Sequence, residues 1–347
     1  MDAVQVSKPL RILKLPYVAL RNIIMNLDQL EVLDFSFISK KCRSIIKSTK
    51  FANFTVKLNM QTAQCPFAFI RERKTICEFS TEILKTRNRY MNGGRIALSQ
   101  YSNDGEGICI ECAKIWGDYI CDIFRIDIDT LDLEPNQSVE KMISIAEWLN
   151  KRQSSLRCCY FYGTETNSDS LDRFFETADF SIQKLVLLLN QTYKISPLSP
   201  KILNVNCLWA SSKNWRHLID WITVEHILAS NCVTLWIEAS SFHENDLNRF
   251  IKGWLNGNNP TMEFFHVIVK RLDPDLLFDG IRYEEKDNSL IRNYDCKAVG
   301  VQYEFKGGFD IRRSDGRVAT LQQKTHLQNP CQIYHFAMIV WPNVISM

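Results

Sequence analysis

The sequence has few of the features that mark a membrane protein or a secreted protein. No run approaches the ~18 apolar residues that a membrane helix needs. The start at Met1-Asp2 is polar and lacks the apolar segment of a secretory signal. The formal net charge of the 347 residues is only +3, so the overall balance indicates neither nucleic acid nor membrane as a partner. We therefore expect no membrane association.

Signatures of catalysis and of cofactor binding are also missing. The chain has no Walker A loop, no G-x-G-x-x-G, no H-E-x-x-H and no G-x-S-x-G. Its six histidines are scattered without the spacing of metal ligands. Cys109-x-x-Cys112 would suit zinc or redox chemistry, but one pair without a second favours free thiols. We expect no enzymatic activity, no cofactor and no bound metal.

The composition is typical of a folded globular chain, with 46% hydrophobic and 23% charged residues. Of its twelve cysteines, Cys158, Cys159, Cys207 and Cys232 lie in apolar runs, where a free thiol behaves as a small hydrophobe. This usage predicts a reducing compartment, the cytosol or the nucleus.

Residues 8–50 are predicted to form three short helices. Pro16 suits the first turn of a helix, because its missing N–H would have no partner there. Asp28 and Glu31 have the spacing of a capping box before the second helix. The apolar positions are Leu20, Ile23, Ile24 and Leu27, then Leu30, Leu33 and Phe37, then Ile38, Cys42, Ile45 and Ile46. So small a core rarely suffices alone, so this unit should lean on a partner or on the rest of the chain.

The first 50 residues are also basic, with nine Lys and Arg against four Asp and Glu. Lys40, Lys41 and Arg43 lie largely opposite the apolar side of the third helix. A nucleic-acid interface is one interpretation. The helices are short and the apolar stripe is narrow, which favours a solvated basic face that steers an acidic protein partner. We expect no nucleic-acid partner.

Two further regions follow. Residues 51–135 contain short strand-like runs at 54–58, 95–98, 107–110 and 124–128, and are predicted to be a strand-rich connecting region packed on the main domain. Residues 136–347 alternate helices and strands, the strands beginning near Leu156, Lys184, Ile202, Cys232 and Met262. Three of the four intervals are near 29 residues, which predicts helix–strand repeats of leucine-rich-repeat size. A doubly wound sheet is the competing interpretation.

The C-terminal part is predicted to return to antiparallel strands. Ser314-Asp315-Gly316-Arg317 is a hairpin signal, and the run from Phe336 to Trp341 reads as a closing buried strand. The predicted fold class is therefore α+β or α/β. It consists of a small three-helix unit and a leucine-rich-repeat-like helix–strand domain with flanking antiparallel strands.

The N-terminal unit resembles an F-box. The resemblance rests on the run Lys14-Leu15-Pro16-Tyr17-Val18-Ala19-Leu20-Arg21-Asn22-Ile23-Ile24-Met25-Asn26-Leu27, then Leu30 and Leu33, then Ile38-Ser39-Lys40-Lys41-Cys42-Arg43. Cys42 stands where that family commonly has an aromatic residue.

The C-terminal half resembles the type-2 F-box-associated domain of the large nematode F-box family. The residues that carry this resemblance are Asp246 to Trp254, Met262-Glu263, Gly307 to Arg313, Asp315-Gly316, Ala319-Thr320 and Phe336 to Trp341.

The two resemblances imply a non-catalytic substrate-recognition subunit of an SCF-type cullin–RING ubiquitin ligase. The F-box, residues 8–50, would dock on a Skp adaptor and through it on a cullin, and the domain at 136–347 would hold a target for ubiquitin-dependent degradation. The expected adaptor-binding residues are Leu15, Pro16, Leu20, Ile23, Ile24, Leu27, Leu30, Leu33 and Lys40. The alternatives are a protein-binding scaffold that no longer engages the ligase, and a doubly wound enzyme, which no glycine-rich loop supports.

Overall fold

The computed structural model describes residues 12–51, 54–61, 67–72, 74–79, 90–91, 94–95, 110–163, 168–189, 200–212, 218–238, 240–269, 272–328 and 331–342. The chain divides into two compact units, Met1–Thr130 and Leu131–Met347. Within the described ranges, no helix combines the length and the apolar character needed to cross a bilayer.

The first unit begins with three short helices, which confirms the predicted helical segment. A 3-10 turn at Ile12–Lys14 precedes α1 (Tyr17–Met25), α2 (Gln29–Ile38) and α3 (Lys40–Ser48). The predicted capping box forms at the start of α2, where the Asp28 N–H donates to Glu31 Oε2 at 2.9 Å and the Glu31 N–H donates to Asp28 Oδ1 at 2.8 Å. Each cap satisfies a backbone donor that the helix itself leaves without a partner.

Strands and a longer helix follow within the same unit. They are β1 (Thr55–Asn59), β2 (Phe67–Arg71), β3 (Lys74–Phe79), the short pair β4 (Tyr90–Met91) and β5 (Gly94–Arg95), and α4 (Ile110–Phe124). Strands β1, β2 and β3 are antiparallel neighbours. The next strand, β6 (Ile128–Leu133), crosses the boundary between the units.

The structure corrects two expectations for residues 51–135. The run predicted as a strand at 107–110 ends in a residue, Ile110, that begins α4, and residues 107–109 lie outside the described part. Ala113, Trp116, Ile120 and Ile123 are buried at helical spacing, a periodicity that the short β-branched run conceals. The strand predicted at 124–128 is also misplaced, because Phe124 ends α4 and the strand begins at Ile128. The boundary expected at residue 50 stays a prediction, and the chain up to Thr130 groups with α1–α3 in one compact unit.

The second unit alternates strands and helices as far as β11. Its strands are β7 (Ser155–Tyr162), β8 (Ser181–Leu188), β9 (Cys207–Ser211), β10 (Thr234–Ile237) and β11 (Phe264–Val269). Its helices are α5 (Val139–Arg152), α6 (Ser168–Thr177), α7 (Pro200–Leu203), α8 (Val224–Ala229), α9 (Glu244–Leu255) and α10 (Pro274–Leu277). Successive strands from β7 to β11 begin 26, 26, 27 and 30 residues apart.

Strands β7 to β11 lie side by side in sequence order and pair in parallel. Helix α5 packs on α6, α7 on α8, and α8 on α9, so the helices form a layer. Phe161 of β7 contacts Phe174 of α6, and Phe265 of β11 contacts Phe250 of α9, which places that layer on one face of the sheet. The strand order from β7 to β11 has no reversal, unlike that of a doubly wound sheet.

The helix–strand alternation is therefore confirmed, but the leucine-rich-repeat-like part of the prediction is not. The parallel strands continue into a larger mixed sheet with the antiparallel strands β15, β14, β13 and β12. The strand expected near Ile202 is wrong, because Ile202 lies in α7 and the strand begins at Cys207. Pro200 favours the first turn of that helix, which the apolar run Ile-Leu alone does not reveal.

The C-terminal strands are β12 (Glu284–Cys296), β13 (Val301–Arg312), β14 (Val318–Gln328) and β15 (Cys331–Val340). They form consecutive antiparallel pairs, and β15 pairs with β11. The predicted hairpin at Ser314–Arg317 joins β13 to β14, and Gly316 has a φ of 89° there, which only glycine adopts without strain. The predicted closing strand is β15.

Candidate functional site

The residues expected to bind an adaptor fall into two groups in the first unit. Leu20, Ile24 and Leu33 are buried in its interior. Leu15, Ile23, Leu27 and Leu30 are half-buried, and Pro16 and Lys40 are exposed. The structure therefore leaves six of the nine side chains within reach of a partner. Their role in binding stays a prediction.

Four exposed apolar residues of the segment α1–α3 were not among the expected adaptor-binding residues. Val18 and Ile38 are 69% and 67% exposed, and Tyr17 and Met25 are about half exposed. The signal was available, since the sequence of α1 is Tyr-Val-Ala-Leu-Arg-Asn-Ile-Ile-Met and contains a single charged residue. A helix that is apolar nearly all round has one face for the core and a second for something else.

Helix α4 supports the helical segment through aromatic contacts. The ring of Phe37 stacks on that of Tyr119 at 4.7 Å between centroids and meets the edge of Trp116 at 5.9 Å. The hydroxyls of Ser36 and Tyr119 are hydrogen-bonded at 2.6 Å, and Ser36 also donates to the Leu33 carbonyl at 2.5 Å. The support that the small helical core needs thus comes from the chain itself.

The contacts of Phe37 with Trp116 and Tyr119 form a seam between α2 and α4, and charged contacts continue this seam along α3. The Arg43 guanidinium lies 5.1 Å from the centre of the Tyr119 ring, and Lys47 Nζ pairs with Asp122 at 2.6 Å. Burial raises the pKa of the Tyr119 hydroxyl, so it remains a neutral hydrogen-bonding group. Both contacts hold α3 and α4 side by side.

We predict that Tyr119→Ala lowers the free energy of unfolding by ~3 kcal/mol, because it removes a buried ring that packs on Phe37 and Trp116. Tyr119→Phe should cost only ~1 kcal/mol, the value of one hydrogen bond. Chemical denaturation of the full chain measures both. Tyr17→Ala, at an exposed tyrosine, is the matched control, and an equal loss in the control and in Tyr119→Ala would contradict the role of the seam.

In the second unit, the sheet face opposite the helices carries a row of large side chains. Cross-strand neighbours in this row are Tyr160, Val186, Trp209, Trp236 and His266. The far half of the β12–β13 hairpin covers part of the row: Trp236, Phe264, Phe305 and Cys296 form one buried cluster, with Tyr294 and Tyr303 packed against it.

The hairpin reaches this position because it bends at Gly307-Gly308. Their φ angles are 62° and 97°, and a Cβ on Gly307 would lie 2.4 Å from the Lys286 carbonyl oxygen. Opposite them, the register of β12 shifts between Lys286 and Ile291. The glycines of the recognised motif therefore serve the backbone: no larger residue fits the bend without strain.

A polar network holds the bent hairpin in place. Arg292 makes a two-pronged ion pair with Asp310, at 2.9 and 3.1 Å, and donates to the Gly307 carbonyl at 3.2 Å. Thr320 donates to Asp310 at 2.6 Å and accepts from the Trp341 indole N–H at 2.7 Å. Because these groups are hydrogen-bonded to one another and largely buried, they hold β12, β13 and the end of β15 in one arrangement.

The edge of β13 beyond the bend is closed by side chains. Backbone pairing of β13 with β14 extends from Phe309 to Arg312. Farther along, the Gln322 amide donates to the Lys306 carbonyl at 2.9 Å, and Lys324 Nζ donates to the Glu304 carbonyl at 2.8 Å.

A pair of histidines, His266 buried and His335 half-buried, lies within the row of large side chains. His266 Nε2 and His335 Nδ1 are 3.2 Å apart, and the Trp236 ring lies 4.2 Å from that of His266. Burial, together with the neighbouring His335, lowers the pKa of His266 to about 3. His266 is therefore neutral in the folded protein over the physiological range.

This histidine should make stability depend on pH. The pKa of His266 in the unfolded chain is ~6.5, so between about pH 3 and pH 6.5 the unfolded state binds the extra proton. As the pH falls below 6.5, this residue should lower the free energy of unfolding by up to ~1.4 kcal/mol per pH unit. Above pH 6.5 its contribution to the free energy of unfolding is constant. Denaturation of wild type and His266→Phe from pH 4.5 to 7.5 measures the difference. Parallel pH profiles would refute the assignment.

Five cysteines of the second unit have the properties of buried, protonated thiols. Cys158, Cys159, Cys207, Cys232 and Cys296 are buried, and burial raises the pKa of Cys207 and of Cys232 to about 12. Of the sequence pair, Cys112 lies in α4 and Cys109 lies outside the described residues. In the part of the chain that the structure describes, no three His, Cys, Asp or Glu side chains are arranged to hold a metal.

Exposed apolar side chains of the second unit are concentrated beside β12. Among its described residues, the exposed large hydrophobics are Tyr162, Leu276, Tyr283, Leu290 and Ile291. Four of these five lie between residues 276 and 291. Tyr283 rests on Phe278 and Phe309, with ring centroids 4.5 and 5.3 Å away.

Comparison with known proteins identifies two segments of the chain. Residues 12–54, which contain α1–α3, match the F-box domain model, and residues 200–267, from α7 to β11, match the model described as F-box associated. No solved structure matches the chain.

The relatives of the chain include two proteins of Caenorhabditis elegans. The chain is 20% identical to the Skn-1 dependent zygotic transcript 15 protein over 337 residues, which is 89% of this chain and 93% of the relative. It is 32% identical to the F-box associated domain-containing protein sdz-33 over 100 residues, 27% of this chain and 31% of the relative. The helices that present Pro16 and Lys40 are thus an F-box domain, and the parallel strands β9–β11 with their helices belong to an F-box-associated domain.

Proposed function

We propose that this protein is the substrate-recognition subunit of an SCF-type cullin–RING ubiquitin ligase. The observation that carries the proposal is the F-box at residues 12–54, whose helices leave Pro16, Lys40 and four half-buried aliphatic side chains available to a partner. F-box domains generally bind Skp adaptors. The protein would recruit a cullin through that adaptor and act in the cytosol or the nucleus without catalysing a reaction itself.

Two roles follow for the nine expected adaptor-binding residues. Leu15, Pro16, Ile23, Leu27, Leu30 and Lys40 would contact the adaptor. Leu20, Ile24 and Leu33 are buried, so they would act by holding the helices in position. A few well-packed apolar anchors usually carry most of the energy of such an interface.

The second unit would hold the target. Strand starts 26 to 30 residues apart, in sequence order with helices on one face, support a leucine-rich-repeat-like scaffold from β7 to β11. The bent hairpin and the antiparallel strands extend that scaffold, and the hairpin carries the exposed side chains of Leu290 and Ile291. A scaffold that binds targets without engaging a ligase is the alternative, and adaptor binding separates the two.

We predict that changing Leu15 and Pro16 together to Ala weakens binding of a purified Skp adaptor by at least about 100-fold, since each lost anchor costs ~2 kcal/mol. Titration calorimetry of the full chain with the purified adaptor measures this change in affinity. The control is Leu276→Ala with Tyr283→Ala, a double change at exposed positions of the second unit, which should leave adaptor affinity unchanged. A folded Leu15/Pro16 variant with wild-type affinity would refute the adaptor-binding assignment.

A further inference from the structure

Helix α4 lies beside α3 in a register that the contacts define. Arg43 meets Tyr119 and Lys47 meets Asp122, so residues in contact differ by 76 and 75 in number. The same offset places Ile115 level with Ser39 and Lys40. Ile115, the sixth of the fifteen residues of α4, is therefore level with the junction of α2 and α3.

Two isoleucines are exposed at this junction. Ile38 is 67% exposed and Ile115 is 46% exposed. Each adjoins a residue of the aromatic seam, since Ile38 follows Phe37 and Ile115 precedes Trp116, and those two rings are in contact. The buried stripe of α4 runs through Ala113, Trp116, Ile120 and Ile123, so the unit's core does not require an apolar side chain at 115.

The junction lies within the span of a single interface that also includes Leu15 and Pro16. Tyr17 at the start of α1 is hydrogen-bonded to Ser48 at the end of α3, at 3.4 Å. Helix α3 has nine residues and is about 14 Å long at ~1.5 Å per residue. An interface of ~800 Å² per partner is about 30 Å across. One partner docked at the start of α1 can therefore also cover Ile38 and Ile115.

We propose that Ile115 of α4, which lies outside the F-box segment, forms with Ile38 a second anchor point for the Skp adaptor. This inference rests on the proposed function. Lys40 and Lys41 are exposed beside Ile38, so the adaptor surface that covers the anchor is apolar with an acidic rim. Helix α4 then has two roles. Its buried stripe supports the F-box, and Ile115 extends the surface with which the F-box binds the adaptor.

The test compares single changes in the full chain by titration calorimetry with purified adaptor. Ile115→Glu and Ile38→Glu should each weaken binding by about tenfold or more, and Ile115→Ala by about threefold or more. Ile291→Glu is the matched control, because Ile291 is an isoleucine of similar exposure in the second unit, and its affinity should equal wild type. Thermal unfolding shows whether each variant is folded. If the Ile115→Glu variant is unfolded, the adaptor affinity of the Ile115→Ala variant decides the test.

The outcomes separate this inference from the proposed function. Loss of binding in the Leu15/Pro16 double variant with wild-type affinity in folded Ile115 and Ile38 variants would overturn the second anchor and leave the proposed function standing. Absence of adaptor binding in the wild type would overturn both. If Ile115→Glu instead converts a dimer to a monomer at unchanged adaptor affinity, the anchor serves a second copy of the chain and the inference is wrong.

Discussion

The packing of Tyr119 against Phe37 and Ser36 is the contact on which the first unit depends. Three helices of nine or ten residues bury too little apolar surface to offset the entropy of ordering them. Helix α4 supplies the missing surface, and the charged contacts of Arg43 and Lys47 fix its register. The F-box is therefore presented by a four-helix arrangement in which only three helices belong to the F-box segment.

The local features of this unit follow from its sequence. Pro16 and the Asp28–Glu31 capping box act through their immediate neighbours, so the starts of α1 and α2 were predictable. Helix α4 was not, because Gly107-Ile108-Cys109-Ile110 reads as a strand when taken four residues at a time. Its helical periodicity emerges only over the eleven residues from Ala113 to Ile123, and its purpose emerges only from Phe37, which lies far away in sequence.

In the second unit, the alternation of helices and strands was predictable from the sequence, but the order of the strands in the sheet was not. The apolar stripes of α5, α6 and α9 and the alternation in β8 and β10 fix which elements form. Strand order is set by contacts between elements, so the same pattern fitted a repeat array or a doubly wound sheet. The bend at Gly307-Gly308 was also not predictable from the sequence. The resemblance identifies the motif, but only the structure explains its glycines, because it places the Lys286 carbonyl against Gly307.

The bend also has a consequence for how the protein avoids self-association. A long β-hairpin with a free edge offers a row of backbone donors and acceptors to any other strand, which is the usual start of sheet-to-sheet aggregation. Beyond the bend, the carbonyls of Glu304 and Lys306 are already occupied by the side chains of Lys324 and Gln322. Folding the hairpin back thus lets the chain itself occupy two backbone acceptors of β13 with which a foreign strand could otherwise pair. The two glycines therefore shape the hairpin and also bring two of its backbone acceptors within reach of side chains of β14.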